Sequence, residues 1–433
     1  MKRSLFLLVS LLVAAVPLGL AQVSSTTQMY RDDARGDYQY QRKGVMDGNR
    51  IRTIYFNTTE VAHWPDGMGG EWPKGSGHNY IDGLTVLIGA KLYLPNGRVI
   101  TPIEAHYREE FDYDPVLGSQ YPWDLEPVPG YINTSSTSPK PAVNIDPKSW
   151  PDHWPVALRA DGRTTADWDG YWYGYFGRGV MNADFETFFV VDDSKDKEFT
   201  RPPYNYFPIA ADSNRGGLGI RVEVRAFQWT HVLAEDCIFW HYDIVNISDH
   251  DYDSCAFGFY SDPGVGSYQN STPANSAYYS TTLDLCYSWA EGGVGYPDNW
   301  KTGYYGYAYL ESPGNPWDGI DNDEDGMIDE RRDNNIDDNH NWVPFADLNG
   351  NGTWDLGEPL NDDLGADGVG PFDPQYTGPD RGEGDGLPTH GEPNFDETDK
   401  DESDQIGLTA VALNILGDKG PTGVWPKNDD VMW

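Results

Sequence analysis

Between Asp347 and Glu358 the chain reads DLNGNGTWDLGE, with oxygen-bearing side chains at alternate positions. Asp347, Asn349, Asn351, Gly352, Asp355 and Glu358 fall at positions 1, 3, 5, 6, 9 and 12 of a twelve-residue loop. This spacing lets one short loop wrap a hard cation: acids and amides supply oxygens, and Gly allows the sharp turn. Thr353, at position 7, would add its backbone carbonyl. Trp354 is expected to pack the loop onto the body of the protein. Calcium suits such a shell, because it takes six to eight oxygens in flexible geometry. Magnesium wants a small octahedral shell and retains its waters. Zinc wants nitrogen or sulfur, and the acidic stretch has no Cys and only His340 and His390.

A shorter loop precedes it. Asp321, Asp323, Asp325, Gly326 and Asp329 repeat the spacing, and Arg332 at position 12 leaves Asp329 or Glu330 to close the shell. In both loops an apolar residue, Ile328 or Trp354, follows the turn Gly by two places. Asp333, Asn335 and Asp337 carry a weaker signal, as do Asp362, Asp363 and Asp367. Over about a dozen residues at a time, these loops resemble the calcium repeats of thrombospondin type 3 modules and of dockerins. From Asn315 to Asp404 the chain has 20 Asp and 7 Glu against 3 Arg and 1 Lys, which is 23 of its 39 excess negative charges. Such crowding repels itself unless cations neutralise it. The alternative is a solvated acidic linker, and the repeated Gly and apolar positions oppose it.

Residues 1–21 read as a secretory signal peptide: Lys2 and Arg3, an apolar run from Leu5 to Val16, and the small Gly19 and Ala21 before a cut ahead of Gln22. No later stretch is apolar enough to span a membrane. The formal charge of −39 argues against nucleic acid, whose phosphates need Lys and Arg. Three cysteines, Cys237, Cys255 and Cys286, are too few for a disulfide framework and are expected to be buried structural thiols. His63 and His78 flank a Gly- and Trp-rich loop, where packing and hydrogen bonding are the expected roles.

The elements that would carry these loops are strands. Residues 22–50 read as an extended lead-in. Ile51–Phe56, Leu84–Leu94 with a Pro95–Gly97 turn, Leu218–Val232, Glu235–Ile247 and the run after Ser254 follow, then Thr281–Trp289 and Gly303–Leu310. Leu218–Val232 alternates, with Ile220, Val222, Val224 and Ala226 on one face and Arg221, Glu223 and Arg225 on the other, as in a half-buried strand. The spacing of Leu218–Val232, Glu235–Ile247 and the run after Ser254 predicts an antiparallel meander. Trp and Tyr in Asp167–Gly179 would fill a core, or alternatively bind sugar rings. The expected fold is mostly β, with antiparallel β-sandwich-type domains over residues 51–312. An irregular calcium-loop insertion would occupy 313–404 and a return strand 405–433. The closing KNDDVMW carries no cap or sorting signal, and the chain is expected to continue past Trp433.

Four stretches together resemble a group of large secreted β-rich proteins of the Bacteroidetes and related phyla, many of which end in a type IX secretion sorting domain. They are EWPKGSGHNYIDGLTVLIGA at 71–90, EDCIFWHYDIVNIS with FGFYSDPGVG at 235–266, DGIDNDEDGMIDE at 318–330 and GEPNFDETDKDESDQIGLTA at 391–410. The resemblance implies export, surface display and β-sandwich modules, and it carries no established activity. No HExxH, GxSxG or phosphate-binding Gly loop is present, and no catalytic residue is assigned. The expected role is a secreted or cell-surface structural or adhesion protein with calcium as its ion and surface or matrix glycans or proteins as partners. The alternative is a glycan-binding module or glycoside hydrolase using Asp167, Asp169 or Asp184.

Overall fold

The computed structural model describes residues 25–94, 96–107, 113–118, 121–135, 139–155, 168–252, 254–269, 271–280, 283, 285–310, 312–313, 340–355, 357–376, 378–389, 391–395 and 403–404. These residues are mostly strand, paired antiparallel, and their only α-helix is the eight-residue Ser25–Asp32. Among them, no helix is long and apolar enough to cross a membrane. Their contacts form two compact units, one of residues 25–275 with 289–303, the other of 276–288 with 304–404.

The first unit is built on two sheets. Asn79–Ala90 is the centre of one, and all twelve of its residues are buried. A strand buried on both faces must pair along both edges, or its N–H and C=O groups lose their partners. Cys255–Pro263 takes one edge, in register from Cys255 opposite Ala90. Gly70–Glu71 and Ile103–Glu104 share the other. This corrects the meander expected after Phe239: Cys255–Pro263 leaves its sequence neighbour and joins the other sheet. The Asn-Gly turn is where the sequence puts it, with Gly97 at φ +82° and Leu92–Tyr93 paired to Val99–Ile100. Pro95 lies outside the described residues.

The second sheet runs Phe239–Asn246, Ile220–Gln228, Phe185–Asp192, with short Glu126–Pro127 and Ala142–Val143 along the far edge of Phe185–Asp192. Strand alternation sends the side chains of Phe185–Asp192 to two layers. Phe185, Thr187 and Phe189 meet Tyr55 of the neighbouring sheet. Its ring stacks on Phe189 and its hydroxyl lies 2.8 Å from Thr187 Oγ1. Phe188 and Val190 face the opposite way, into a cluster with Tyr131, Trp154, Trp168, Trp172 and Tyr173. The aromatic run at 168–173 therefore fills a core layer, with Trp168 and Trp172 fully enclosed.

That layer overturns the half-buried reading of Leu218–Val232. Ile220–Gln228 is covered on both faces, and only Glu223 is partly exposed. Its polar face is roofed by the aromatic cluster and the N-terminal segment, so its arginines are paired inside. Arg225 reaches Glu186 and the Tyr173 carbonyl, both at 2.7 Å, and lies over the Phe188 ring. Glu186 also accepts from Trp172 Nε1 and Tyr175 N–H. Arg221 sits between the Tyr30 and Tyr131 rings and bonds Tyr131 and Asp33.

Residues 22–50 differ from an extended lead-in. Ser25–Asp32 is helical, Lys43–Met46 pairs with Thr53–Phe56, and Arg31 bonds the Ile247 and Ser248 carbonyls at 2.6 and 2.5 Å. The partners of Arg31 thus lie more than 200 residues away in the chain.

Asn275–Ser280, Leu285–Ala290 and Tyr304–Ala308, most of whose residues belong to the second unit, form a three-stranded sheet, faced by contacts among Tyr278, Tyr287 and Tyr304. Ser312–Pro313 pairs antiparallel with Ser403–Asp404, at the two ends of the acidic stretch. The return strand expected at 405–433 and the signal peptide at 1–21 lie outside the described residues.

Removing one member of a buried ion pair leaves the other uncompensated and costs about 3–5 kcal/mol. Arg225→Met is expected to lower the unfolding free energy of the first unit, measured by urea denaturation, by that amount, and Arg225→Met with Glu186→Gln to recover most of it. Equal loss in the single and double variants would show that the pair is not coupled.

Candidate metal centres

The Asp347–Glu358 loop sits at the tip of a hairpin. Ala346 N–H donates to Pro359 O at 3.0 Å, Asn361 to Pro344 and Asp362 to Val343, so antiparallel backbone closes the neck. Within the loop, Asp347 accepts three backbone N–H groups, from Gly350 (2.6 Å), Gly352 (2.7 Å) and Asn351 (3.2 Å). Asn349 Oδ1 accepts from Asn351 N–H, and Asn351 Oδ1 from Thr353 N–H. Gly352 at φ +73° holds the turn that the sequence assigns to it. Glu358 folds back from position 12 and is buried, accepting from Leu348 N–H and Asp355 N–H at 2.8 and 2.9 Å. Asp355 Oδ2 receives the side-chain amides of both Asn349 and Asn351, at 2.6 and 2.7 Å.

All six spaced residues thus belong to one closed turn. Trp354 departs from expectation: it is 47 % exposed, its indole N–H bonds Glu358 O, and it lines an open cleft of ≈ 540 Å³ with Leu360 and Phe372. It shapes a surface of its own unit instead of sealing the loop.

The weak acids at 362–367 have a stronger role than their spacing suggested. Asp362 and Asp363 are buried, and Asp363 accepts from the N–H groups of Gly384, Asp385 and Gly386. Glu392, also buried, accepts from Gly365 N–H, Thr389 N–H and Trp342 Nε1. Glu392 and Glu358 are near copies: each accepts the N–H of the residue three places before it and follows a Gly at φ +107°. The shared Gly-Glu-Pro triplets at 357–359 and 391–393 are the sequence signal for this echo. The shorter loop of Asp321, Asp323, Asp325, Asp329 and Glu330 lies outside the described residues, as do Asp333, Asn335 and Asp337.

The remaining candidates resolve into structural roles. His63 Nδ1 pairs with Glu60 at 2.8 Å, and His78 stacks on Trp300 with ring centroids 3.8 Å apart. Of the cysteines, only Cys286 is buried. Cys237 and Cys255 are exposed, the first in a turn and the second at the start of a strand, which corrects the buried-thiol expectation for both. Partial burial still pushes both thiols up, with Asp236 adding to the effect at Cys237, so neither favours a thiolate nucleophile. Asp169 is held below the usual carboxylate range by His153, and Asp184 by the Thr230 N–H. A glycosidic general acid needs the opposite shift. Asp167 lies outside the described residues.

A further cluster was not legible in sequence. His106, Asp124 and Glu126 bring one donor atom each within 4.8 Å of the other two, all buried in the first unit. Burial alone would push His106 down, but Asp124, then Glu126 and Glu60, outweigh it and raise it to about 9. Burial lifts Glu126 to about 8, against the opposing pull of His106. An Asp-x-Glu pair with a His eighteen residues upstream matches no metal motif, so only folding reveals it.

Comparison with protein families, curated proteins and solved structures finds no match for the chain.

The backbone N–H of Gly352 first, then those of Gly350 and Asn351, hold Asp347 below its ordinary carboxylate value. A depressed folded value means that its contribution is present above the unfolded value of about 3.9 and disappears as pH falls through the folded one. In an acid titration by NMR, the Gly350 and Gly352 amides are therefore expected to shift with a midpoint below about 3.9. Asp347→Asn should abolish the transition. A midpoint at or above that value would mean that the turn is not held by this carboxylate.

Proposed function

We propose that this protein is a secreted or cell-surface β scaffold whose Asp-rich loops bind calcium and are stiffened by it. The observation that carries the reading is the Asp347–Glu358 turn. Its carboxylates are already fixed by backbone N–H groups, with Gly352 left-handed and Glu358 folded back from position 12. Ordering a loop costs roughly 1–2 kcal/mol per residue, and here much of that cost is met before any ion arrives. Asp347, Asn349, Asn351, Asp355 and Glu358, with the Thr353 carbonyl, would hold the ion. It would supply the positive charge that the Asn349 and Asn351 amides now supply only as dipoles at Asp355. Asp321, Asp323, Asp325, Asp329 and Glu330 would form a second site of the same kind.

The fold reading that goes with this is a β-sandwich carrying a calcium-loop insertion. Support comes from the Tyr55 layer between the two sheets of the first unit and from the two-residue ladder joining 312–313 to 403–404. The partners would be surface or matrix glycans or proteins, and the high negative charge disfavours nucleic acid. The glycan-active alternative draws less support, because Trp168 and Trp172 are enclosed and Asp169 and Asp184 are held ionised.

The test is a thermal melt of residues 22–433 in calcium and in chelator. A dissociation constant of about 0.1 mM, at the tight end for extracellular modules, would give about 2.7 kcal/mol at one hundred times that concentration. Calcium is expected to raise the midpoint of the unit carrying the loops, and Asp347→Asn with Glu358→Gln to remove most of the rise. Identical melts in calcium and chelator, with no heat of binding by calorimetry, would end the proposal.

A further inference from the structure

The buried cluster of the first unit has the makings of a second kind of metal site. Leu125 N–H donates to Ala105 O at 3.0 Å, which lays the two segments side by side and brings His106 against Asp124 and Glu126. Asp124 and Glu126 are two apart in the chain, and one oxygen of each lies within 4.8 Å of the other and of a His106 ring nitrogen. The three residues are 2, 4 and 0 % exposed. His106 Nδ1 stands 3.3 Å from Asp124 Oδ2, yet it has no hydrogen-bond partner. Two ligand atoms of a tetrahedral zinc ion, each about 2.0–2.1 Å from the metal, stand about 3.3–3.4 Å apart. The spacing fits two ligand atoms facing a common third atom.

Charge supports the same conclusion. Among the described residues no Lys or Arg pairs with Glu126, unlike Asp192 and Glu186, which have Arg215 and Arg225. Glu126 takes the neutral Gln41 amide on both oxygens, at 3.2 and 3.1 Å. Buried carboxylates are ordinarily paired or bound to metal. The N-terminal segment closes over the cluster through Gln41, Asp37 N–H to Pro127 O and Gly36 N–H to Asp192.

We propose that His106, Asp124 and Glu126 hold one divalent transition-metal ion of the zinc or manganese class. Imidazole beside two carboxylates suits these ions: calcium and magnesium prefer all-oxygen shells, and no thiolate is at hand for copper(I). Enclosed as it is, the ion would act as a brace between the N-terminal segment and the sheets. This inference does not depend on calcium binding in the acidic loops.

The test uses tag-free protein, stripped with chelator, reloaded with zinc, manganese or cobalt(II), dialysed and assayed by mass spectrometry and X-ray absorption. One ion per chain is expected, with an imidazole nitrogen in its shell, a ligand that the Asp347–Glu358 loop cannot supply. His106→Gln and Glu126→Gln should each weaken retention by more than roughly tenfold, while Asp347→Asn with Glu358→Gln should leave it intact. Failure to retain any of the three ions, a shell without nitrogen, or undiminished retention in both cluster variants would overturn the proposal. If the cluster variants do not fold, the ion count and nitrogen signature of the unaltered chain still decide.

Discussion

Compensation of negative charge is the constraint on which the rest of this structure depends. With 69 acidic residues against 30 basic ones, every crowded or buried carboxylate needs a counterpart. The two units answer differently. The first uses arginine: Arg215 with Asp192, Arg221 with Asp33 and Glu223, Arg225 with Glu186, each guanidinium almost fully enclosed. The second has almost no basic residues to spend, so its acids take backbone N–H groups instead. Asp347, Asp363, Glu358 and Glu392 each bind two or more of them. That choice dictates a Gly-rich chain, because amides converge on one carboxylate only where the backbone can turn sharply.

The strands were legible where composition alone decides them. Leu84–Ala90 falls within the apolar Leu84–Leu94 run while the strand's first five residues, Asn79–Gly83, read as loop, and Phe239–Asn246 and Ile220–Gln228 lie within the runs that sequence marks. Their company was not legible. Periodicity reports that Arg221, Glu223 and Arg225 share a face, but not that an aromatic layer drawn from residues 131–173 will roof it. A polar face reads as solvent-facing because its partners are remote: Glu186 and Tyr131 lie far from Arg225 and Arg221 in the chain. The same remoteness hid the departure of Cys255–Pro263 to the other sheet, since local spacing favours neighbours.

Sites divide along the same line. The Asp347–Glu358 turn is local, so all its constraints fall within twelve residues and spacing reveals it. Asp363 and Glu392 work across some twenty to thirty residues, and only the repeated Gly-Glu-Pro triplet hinted at them. His106, Asp124 and Glu126 meet where the Leu125–Ala105 backbone bond joins the ends of the short strands Glu126–Pro127 and Ile103–Glu104. No one-dimensional pattern encodes that.

The docking of the N-terminal segment has a consequence for the order of events during synthesis. Arg31 is among the first residues of the described chain to emerge, but the carbonyl that receives it lies 216 positions later. Gln41 and Gly36 wait less long, for Glu126 and Asp192, which lie 85 and 156 positions later. The helix Ser25–Asp32 therefore cannot complete its docking until nearly the whole first unit is made. Such long-range closure is slow relative to local hairpins, so the docking of Arg31 is expected among the last contacts of the first unit to form.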